Sequence, residues 1–349
     1  IRFARVPFAR PMPDPMQQSA RASNLIALLA RRTVSGAFTM QASSFFPFLV
    51  LLLVAAVHPV PTASQTPQDE PASQPPQPNP SNWTDSEKLA MLDRVIANQK
   101  KNDEGESIYE RVERKEIRRG PTGTTPEIKV TRNVPAGTGV DHVTLGPDGK
   151  PVDAAAYRAD LEKLERSLVW ATEDGRAQRE AYEKSEKRKK DRSELIDATR
   201  NAFLFTFLSR EMRGDRMLSK FRMEPNPAYK PTSRMTSIFS RVRGVVWIDD
   251  AASELARVEV EVMDDISIGG FLAKIYKGSH FMQERYEMAP GLWFASYAQY
   301  DFDGRRLFMS FSIHERTFYT QYRRVGPPKE ALAEIRAELH KPAPVTGDP

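Results

Sequence analysis

The last third of this chain is built of strands whose apolar side chains fall on both sides, and that feature limits the fold most. Within residues 257–262 the order Arg257-Val258-Glu259-Val260-Glu261-Val262 alternates strictly, sending valines to one face of a sheet and charges to the other. Further on both faces fill. Leu292, Phe294 and Tyr300 share one parity, and Trp293, Ala295 and Tyr297 share the other. Leu307, Met309, Phe311 and Ile313 line one face of their strand, with Phe308 opposite. A sheet solvated on one side does not tolerate this pattern. Either helices cover a face or the sheet curls around an apolar interior.

Turn residues divide the region from Phe203 onward into an antiparallel meander. Strands are expected over 203–212 and 217–223 around Arg213-Gly214-Asp215, then over 244–248 and 255–262 around 249–253. Further strands are expected over 271–277, 281–288, 292–300, 307–313 and 317–323, with a short helix over 329–340. Upstream, Thr84 and Glu87 have the spacing of a capping box, opening a helix whose Leu89, Leu92, Val95 and Ile96 share a face. Strands follow over 108–119, 128–134 and 141–145, the last ending at the turn Gly146-Pro147-Asp148-Gly149. Residues 153–200 change period: Tyr157, Leu161, Leu164 and Leu168 make the stripe of an amphipathic helix, the natural cover for the sheet. The charge run 183–192 interleaves acids with bases, with Glu180/Lys184, Glu183/Lys187 and Glu186/Lys190 spaced i,i+4, and reads as a solvated helix face.

No residue pattern specifies a reaction. The chain has no cysteine, which excludes disulfides, thiolate metal sites and a cysteine nucleophile. His142, His280, His314 and His340 have no metal-ligand spacing, and no metal or other cofactor is expected. Ser279 and His280 are adjacent, so on a strand they point to opposite faces. Asp301-Phe302-Asp303-Gly304 is followed by Arg305-Arg306 rather than by further oxygen ligands, so a hairpin turn is expected there in place of a calcium loop. Gly269-Gly270 precedes a strand and so makes no phosphate loop. An enzyme is not expected. A hydrolase would need a cleft that gathers a histidine, such as His280 or His314, with a carboxylate and a hydroxyl.

The apolar run 45–57 has the length of a secretory h-region and falls short of a membrane span. Met40, Met12 and Met16 are candidate starts. Residues 40–64 read as the signal peptide, with cleavage after Ala63 or Ser64, and 1–39 as an upstream segment not retained. Arg31-Arg32 leaves a twin-arginine route open. Residues 65–83 are a Pro/Gln-rich spacer that cannot bury a core, and 341–349 a tail. Asn82-Trp83-Thr84 fits a glycosylation acceptor by letter only. Residues 1–64 hold six of the 51 basic groups and one of the 46 acidic ones, leaving 45 of each in 65–349. The excess positive charge belongs to the leader, so no nucleic-acid partner is expected.

Arg243-Gly244-Val245-Val246-Trp247-Ile248-Asp249, returning through Leu255-Ala256-Arg257-Val258-Glu259, resembles the central hairpin of the lipoprotein-localisation factor (LolA/LolB-like) superfamily. The resemblance is best over 200–325 and looser over 88–145. It implies one α+β domain over 84–340, a strongly curved antiparallel β-sheet forming an unclosed half-barrel with covering helices. It further implies a periplasmic protein of the outer-membrane lipoprotein-sorting type, with no catalytic residues and no metal, whose apolar interior accepts lipid or an acylated protein. The candidate lining is Phe205, Phe207, Trp247, Val258, Val260, Trp293, Phe294 and Phe311. A monomer is expected, with other envelope proteins as further partners. The competing expectation is an envelope structural or regulatory interaction domain in which the same side chains form a filled core.

Overall fold

The computed structural model describes residues 83–120, 125–268 and 272–341. The signal peptide and its flanks, the spacer up to residue 82, Asn82, Gly269-Gly270 and the tail beyond residue 341 lie outside the described residues. Helix α1 (Asp85–Glu106) leads into β1 (Tyr109–Arg119), β2 (Glu127–Pro135) and β3 (Val140–Leu145). Helices α2 (Ala154–Thr172) and α3 (Arg176–Ala202) follow. Then come β4 (Phe203–Arg213), β5 (Arg216–Pro225), a 3-10 turn (Thr236–Arg241), β6 (Val242–Asp249) and β7 (Glu254–Val262). The chain continues through the short β8 (Ile266–Ile268) and β9 (Ala273–Ile275), then β10 (His280–Ala289), β11 (Leu292–Arg306), β12 (Met309–Arg324) and α4 (Pro328–Leu339).

Ten strands run in the order β3-β2-β1-β12-β11-β10-β7-β6-β5-β4, every neighbour antiparallel, while β9 pairs with β11 and with β8. The fold is therefore α+β, with an open sheet whose edges are β3 and β4; strand order alone defines no strong curl. Paired residues share a face, so register follows one face across the strands. On it lie Phe207, Phe221, Val246 and Val258, and in the next rows Gly244, Val260, Phe281 and Tyr300. This face is covered by α1, which packs against β7 and β11, and by α3, which packs against α1, the 3-10 turn and β4.

The other face is covered only at the opposite end. There α2 and α4 pack together over β3, burying Val134, Val143, Leu161, Leu164, Leu168, Leu332 and Ile335 in one cluster. The expected cover 153–200 is thus two helices, broken at Glu173–Gly175 and serving opposite faces. Asp153 caps α2, its carboxylate accepting the Ala156 N–H at 2.6 Å, and the Thr84/Glu87 capping box forms as the spacing requires.

Three expectations are corrected. Asp301–Gly304 is not a turn: β11 runs through to Arg306, and the reversal falls at Leu307-Phe308, with Leu307 at φ 54°. The reason is packing. Phe302 is buried, and Gly304 is pressed against Lys274 O and the Phe311 ring, where a Cβ would come within 2.3 Å and 2.6 Å. The expected strands 307–313 and 317–323 are one strand, β12, and 271–277 contributes only the short β9. On α3 the ion pairs that form at i,i+4 are Arg176–Glu180, Lys187–Asp191 and Lys190–Glu194, not the expected three. All are solvent-exposed, so their choice of partner is worth little.

Gly244, in the hairpin of β6 and β7, tests the register. A Cβ there would lie 2.3 Å from Glu259 O and 3.1 Å from Val260 Cα, both backbone atoms that cannot swing away. Gly244→Ala is expected to destabilise the fold by about 1–3 kcal/mol, read as a lower urea midpoint at unchanged slope.

Candidate functional site

The covered face has two chemically different halves. Over β4 to β7 and β10 it is an apolar wall. Phe203, Phe205 and Phe207 pair with Pro225, Met223 and Phe221, and the row continues through Val246, Val258 and Val260 to Phe281. Trp83 stacks on Phe207 with ring centroids 6.4 Å apart and meets Phe221 edge-on at 5.7 Å; Phe203 meets Phe239 of the 3-10 turn at 5.2 Å. Phe221, Val246, Val258, Val260 and Phe281 are buried, whereas Phe205 and Phe207, on the edge strand, are only half-buried.

From β10 to β1 the same face becomes a buried polar belt. The C-terminal half of α1 turns amides and acids toward the sheet. Asn102 donates to Glu254 at 2.8 Å and accepts the Trp293 N–H at 3.0 Å, and Gln99 donates to Asp103 at 2.9 Å. Asp103 also accepts from Arg192 of α3 at 2.7 Å. Arg285 of β10 is buried and donates to the side-chain oxygens of Gln99 and Gln283, two neutral amides. Among the described residues it has no carboxylate at ion-pair distance, and burial pushes its guanidinium below the usual arginine range. Beside it Arg111 bridges Glu113 at 2.8 Å and Glu106 at 3.3 Å, and Lys115 reaches Glu113 at 3.3 Å.

Burial opposes the Glu113 charge, but Arg111, Lys115 and a hydrogen bond from Asn133 overcome it and hold the carboxyl below its ordinary range. For Asp103 the balance reverses: burial outweighs Arg192 and Arg285 and raises the carboxyl. Tyr300, Tyr319 and Tyr322 are raised by burial and nearby acids, so they stay neutral donors.

The opposite, outer face over β4 to β12 is a ladder of paired charges and rings. Glu211 accepts from Trp247 Nε1 and Lys220 Nζ, both at 3.0 Å, and Glu284 accepts from Arg257 at 2.9 Å and Arg213 at 2.6 Å. Lys220 and Arg257 lie 4.8 and 5.1 Å from the Trp247 ring, and Arg216 lies 4.9 Å from Trp293. Further along, Ser312 Oγ is 3.2 Å from His314 Nε2, and His314 Nδ1 is 2.8 Å from Asp301 Oδ1. Burial works against the Asp301 charge, but hydrogen bonds from Gln299 and His314 keep its carboxyl below the usual range.

These are the distances of a nucleophile, base and orienting acid. Among the described residues, the strand backbone around Ser312 offers no oxyanion hole. Ser312 sits mid-sheet, paired with Asp303 while its carbonyl accepts the Gly120 N–H at 3.1 Å. Strand N–H groups lie in the sheet plane, away from the face that carries Oγ. The His314 that sequence singled out therefore does meet a hydroxyl and a carboxylate on the outer face of the sheet.

The candidate lining residues are divided by the fold. Phe205, Phe207, Val258 and Val260 share the apolar wall. Phe311 is on the same face, but six strands from β4, roughly 29 Å at the ordinary strand spacing. Trp247 is on the outer face, in a cluster with Trp293, Leu218 and Ala256. Phe294 packs between Tyr109 and Tyr322, centroids 5.2 and 5.1 Å away. The polar belt was not anticipated. Its signal is the i,i+3 and i,i+4 spacing of Asn98, Gln99, Asn102 and Asp103, which continues along the helix the face that Leu92 begins.

No protein-family model and no curated protein matches the sequence. The structural neighbours are LolA-superfamily and outer-membrane lipoprotein-sorting domains, at low superposition scores. One is a putative outer membrane lipoprotein-sorting protein domain from Vibrio parahaemolyticus, 11% identical with TM-score 0.26, covering 67% of this chain and 93% of that one. A DUF1329 family protein from Desulfovibrio piger is 10% identical with TM-score 0.26, over 67% and 92%. A LolA superfamily protein from Nitrosomonas europaea is 8% identical with TM-score 0.27, over 70% and 96%. Similarity at this level does not choose a function.

Two outcomes follow from the site's electrostatics. Glu113→Gln leaves the buried Arg111 guanidinium with Glu106 as its one acidic partner among the described residues and is expected to cost about 3 kcal/mol. The folded carboxyl is held below its ordinary value of 4.5, so its stabilisation is complete above that pH. The gap between wild type and variant in chemical denaturation is expected to be full at pH 7 and to close only as pH falls through the depressed folded value. A fluorophosphonate probe is expected to label the wild type no more than Ser312→Ala; selective labelling of Ser312 would establish a working nucleophile.

Proposed function

We propose that the protein is a non-enzymatic carrier or sensor, exported to the periplasm, that takes up lipid or the acyl chains of a lipoprotein in the manner of outer-membrane lipoprotein sorting. In this reading the open sheet behaves as a curved half-barrel, and the ligand lies along the apolar wall between β4 and β7. One observation carries it: at the edge strand the wall is incompletely covered, and Phe205 and Phe207 stay half-buried beside Trp83. Large apolar side chains left partly uncovered at the end of an otherwise sealed apolar layer suit an apolar guest. From β4 to β7 the wall is roughly 14 Å wide, and Val258 and Val260 would form its floor. Among the described residues no helix is long and apolar enough to cross a membrane.

A second reading is an envelope interaction domain with a filled core. It is favoured by the near-complete burial of Val260, Trp293 and Phe294, at 2%, 2% and 1% exposure. The two readings separate in one experiment. Protein recovered from the periplasm is titrated with a fluorescent fatty-acid probe and examined by native mass spectrometry for retained lipid. The carrier reading expects saturable probe binding, weakened about tenfold or more by Phe205→Ser with Phe207→Ser. Absence of both probe binding and retained lipid, with protein partners captured by crosslinking, would establish the filled-core domain instead.

A further inference from the structure

The hairpin joining β11 to β12 ends in an apolar tip that no described residue buries. Leu307, Phe308 and Met309 are 43%, 92% and 71% exposed, and Leu272, whose carbonyl accepts the Leu307 N–H at 2.8 Å, is 50% exposed. Isolated exposed apolar residues are ordinary, but three on one turn with a fourth hydrogen-bonded beside them are not. The turn's own geometry gives no reason for them. Leu307 has φ 54°, a conformation that favours glycine or asparagine over leucine.

The two charges that lead directly into the tip are both positive. Arg305 and Arg306 precede it, and further back Arg118, next to last in β1, pairs with His314 on the neighbouring strand. Among the described residues Arg305 and Arg118 have no carboxylate partner, and the acid nearest the tip on β11 is Asp303.

We propose that this tip docks the protein on a bilayer bearing anionic lipid, with Phe308 and Met309 entering the interfacial region and the arginines meeting lipid phosphates. Shape and charge favour a bilayer over a folded partner. A narrow convex turn would need a matching groove to bury its side chains against a protein, whereas lipid closes around it. Apolar side chains flanked by arginines that extend toward headgroups are the composition of such anchors. The anionic surface of a leaflet adds attraction that a neutral one lacks. The proposal is independent of the acyl-carrier reading, because it uses neither the apolar wall nor the polar belt.

The absence of cysteine from the chain allows a single-site label. Met309→Cys in the full chain carries an environment-sensitive NBD group, and Leu204→Cys, on β4 at 51% exposure, serves as the control. Each is titrated with vesicles of phosphatidylcholine alone and of phosphatidylcholine with phosphatidylglycerol at about 7:3. Expected are a blue shift and quenching by lipid-borne quenchers at position 309 but not at 204, with partitioning at least about tenfold stronger into the anionic vesicles. Adding Phe308→Ser, an exposed change that leaves the fold's circular dichroism intact, is expected to weaken partitioning by about tenfold. The proposal is overturned if the 309 label does not respond, if it responds equally to neutral vesicles, or if Phe308→Ser leaves partitioning unchanged. It is equally overturned if the label shifts with protein concentration alone, which would make the tip a contact between copies. Loss of fatty-acid binding in Phe205→Ser with Phe207→Ser, with tip partitioning retained, would separate the two sites.

Discussion

The whole architecture hangs on one strand pairing, β1 with β12. It runs from Tyr109 opposite Arg324 to Arg119 opposite Ile313 and joins the first strand of the chain to the last. Without it β1 to β3 would be a detached three-stranded sheet and β4 to β12 a second one with β12 as a bare edge. With it, one sheet runs from β3 to β4 and every later packing decision is taken on its two faces. The pairing is held by more than its ladder. Glu110 accepts from Arg323 at 2.8 Å and from Arg132 at 2.8 Å, and Arg132 continues to Glu338 of α4 at 2.9 Å. Val325 and Gly326 both donate to the Ile108 carbonyl, fixing where the last strand ends.

Once that sheet exists, the helices divide the labour. α2 and α4 seal one face at the β3 end with aliphatic packing, and Tyr157 adds a hydroxyl bonded to Glu338, its pKa pushed up to about 12 by burial and that acid. α1 and α3 cover the other face with two different chemistries, apolar toward β4 and polar toward β1. A polar interior of this kind is costly to desolvate and contributes specificity of placement more than stability. Gln99, Asn102 and Asp103 can satisfy their partners only if α1 lies at one height and rotation over β10 and β11. The apolar wall could tolerate some sliding of the helix; the belt does not.

Most strands were legible from alternation, and the α1 start from its capping box, because those signals are local. What local signals misplaced were features decided by distant atoms. Asp303-Gly304 has the letters of a turn, yet the glycine is there because Lys274 O and the Phe311 ring leave no room for a Cβ. Trp247 looked like part of the wall because it is large and apolar, but its odd position in β6 puts it with Lys220 and Arg257 on the outer face. The bulge at Glu284/Arg285, where Ser296 is the extra residue of β11, explains why parity failed for Trp293 and Phe294, since an inserted residue shifts everything beyond it. Leu89, expected to be buried, is 40% exposed, and the helix instead buries Gln99 and Asn102. Periodicity counts apolar letters and misses buried amides.

The edge strand β4 carries a last consequence. An edge of eleven residues with phenylalanines along it offers free backbone donors and acceptors to any other extended chain. In this strand the ladder is interrupted between Phe207 and Ser209, where the register shifts against β5. The interruption bends the edge and divides it into two short stretches, neither long enough to template a stable added strand, and Arg210 and Arg213 stand on the second. The bulge therefore works against edge-to-edge strand pairing at the place where the apolar face is least covered.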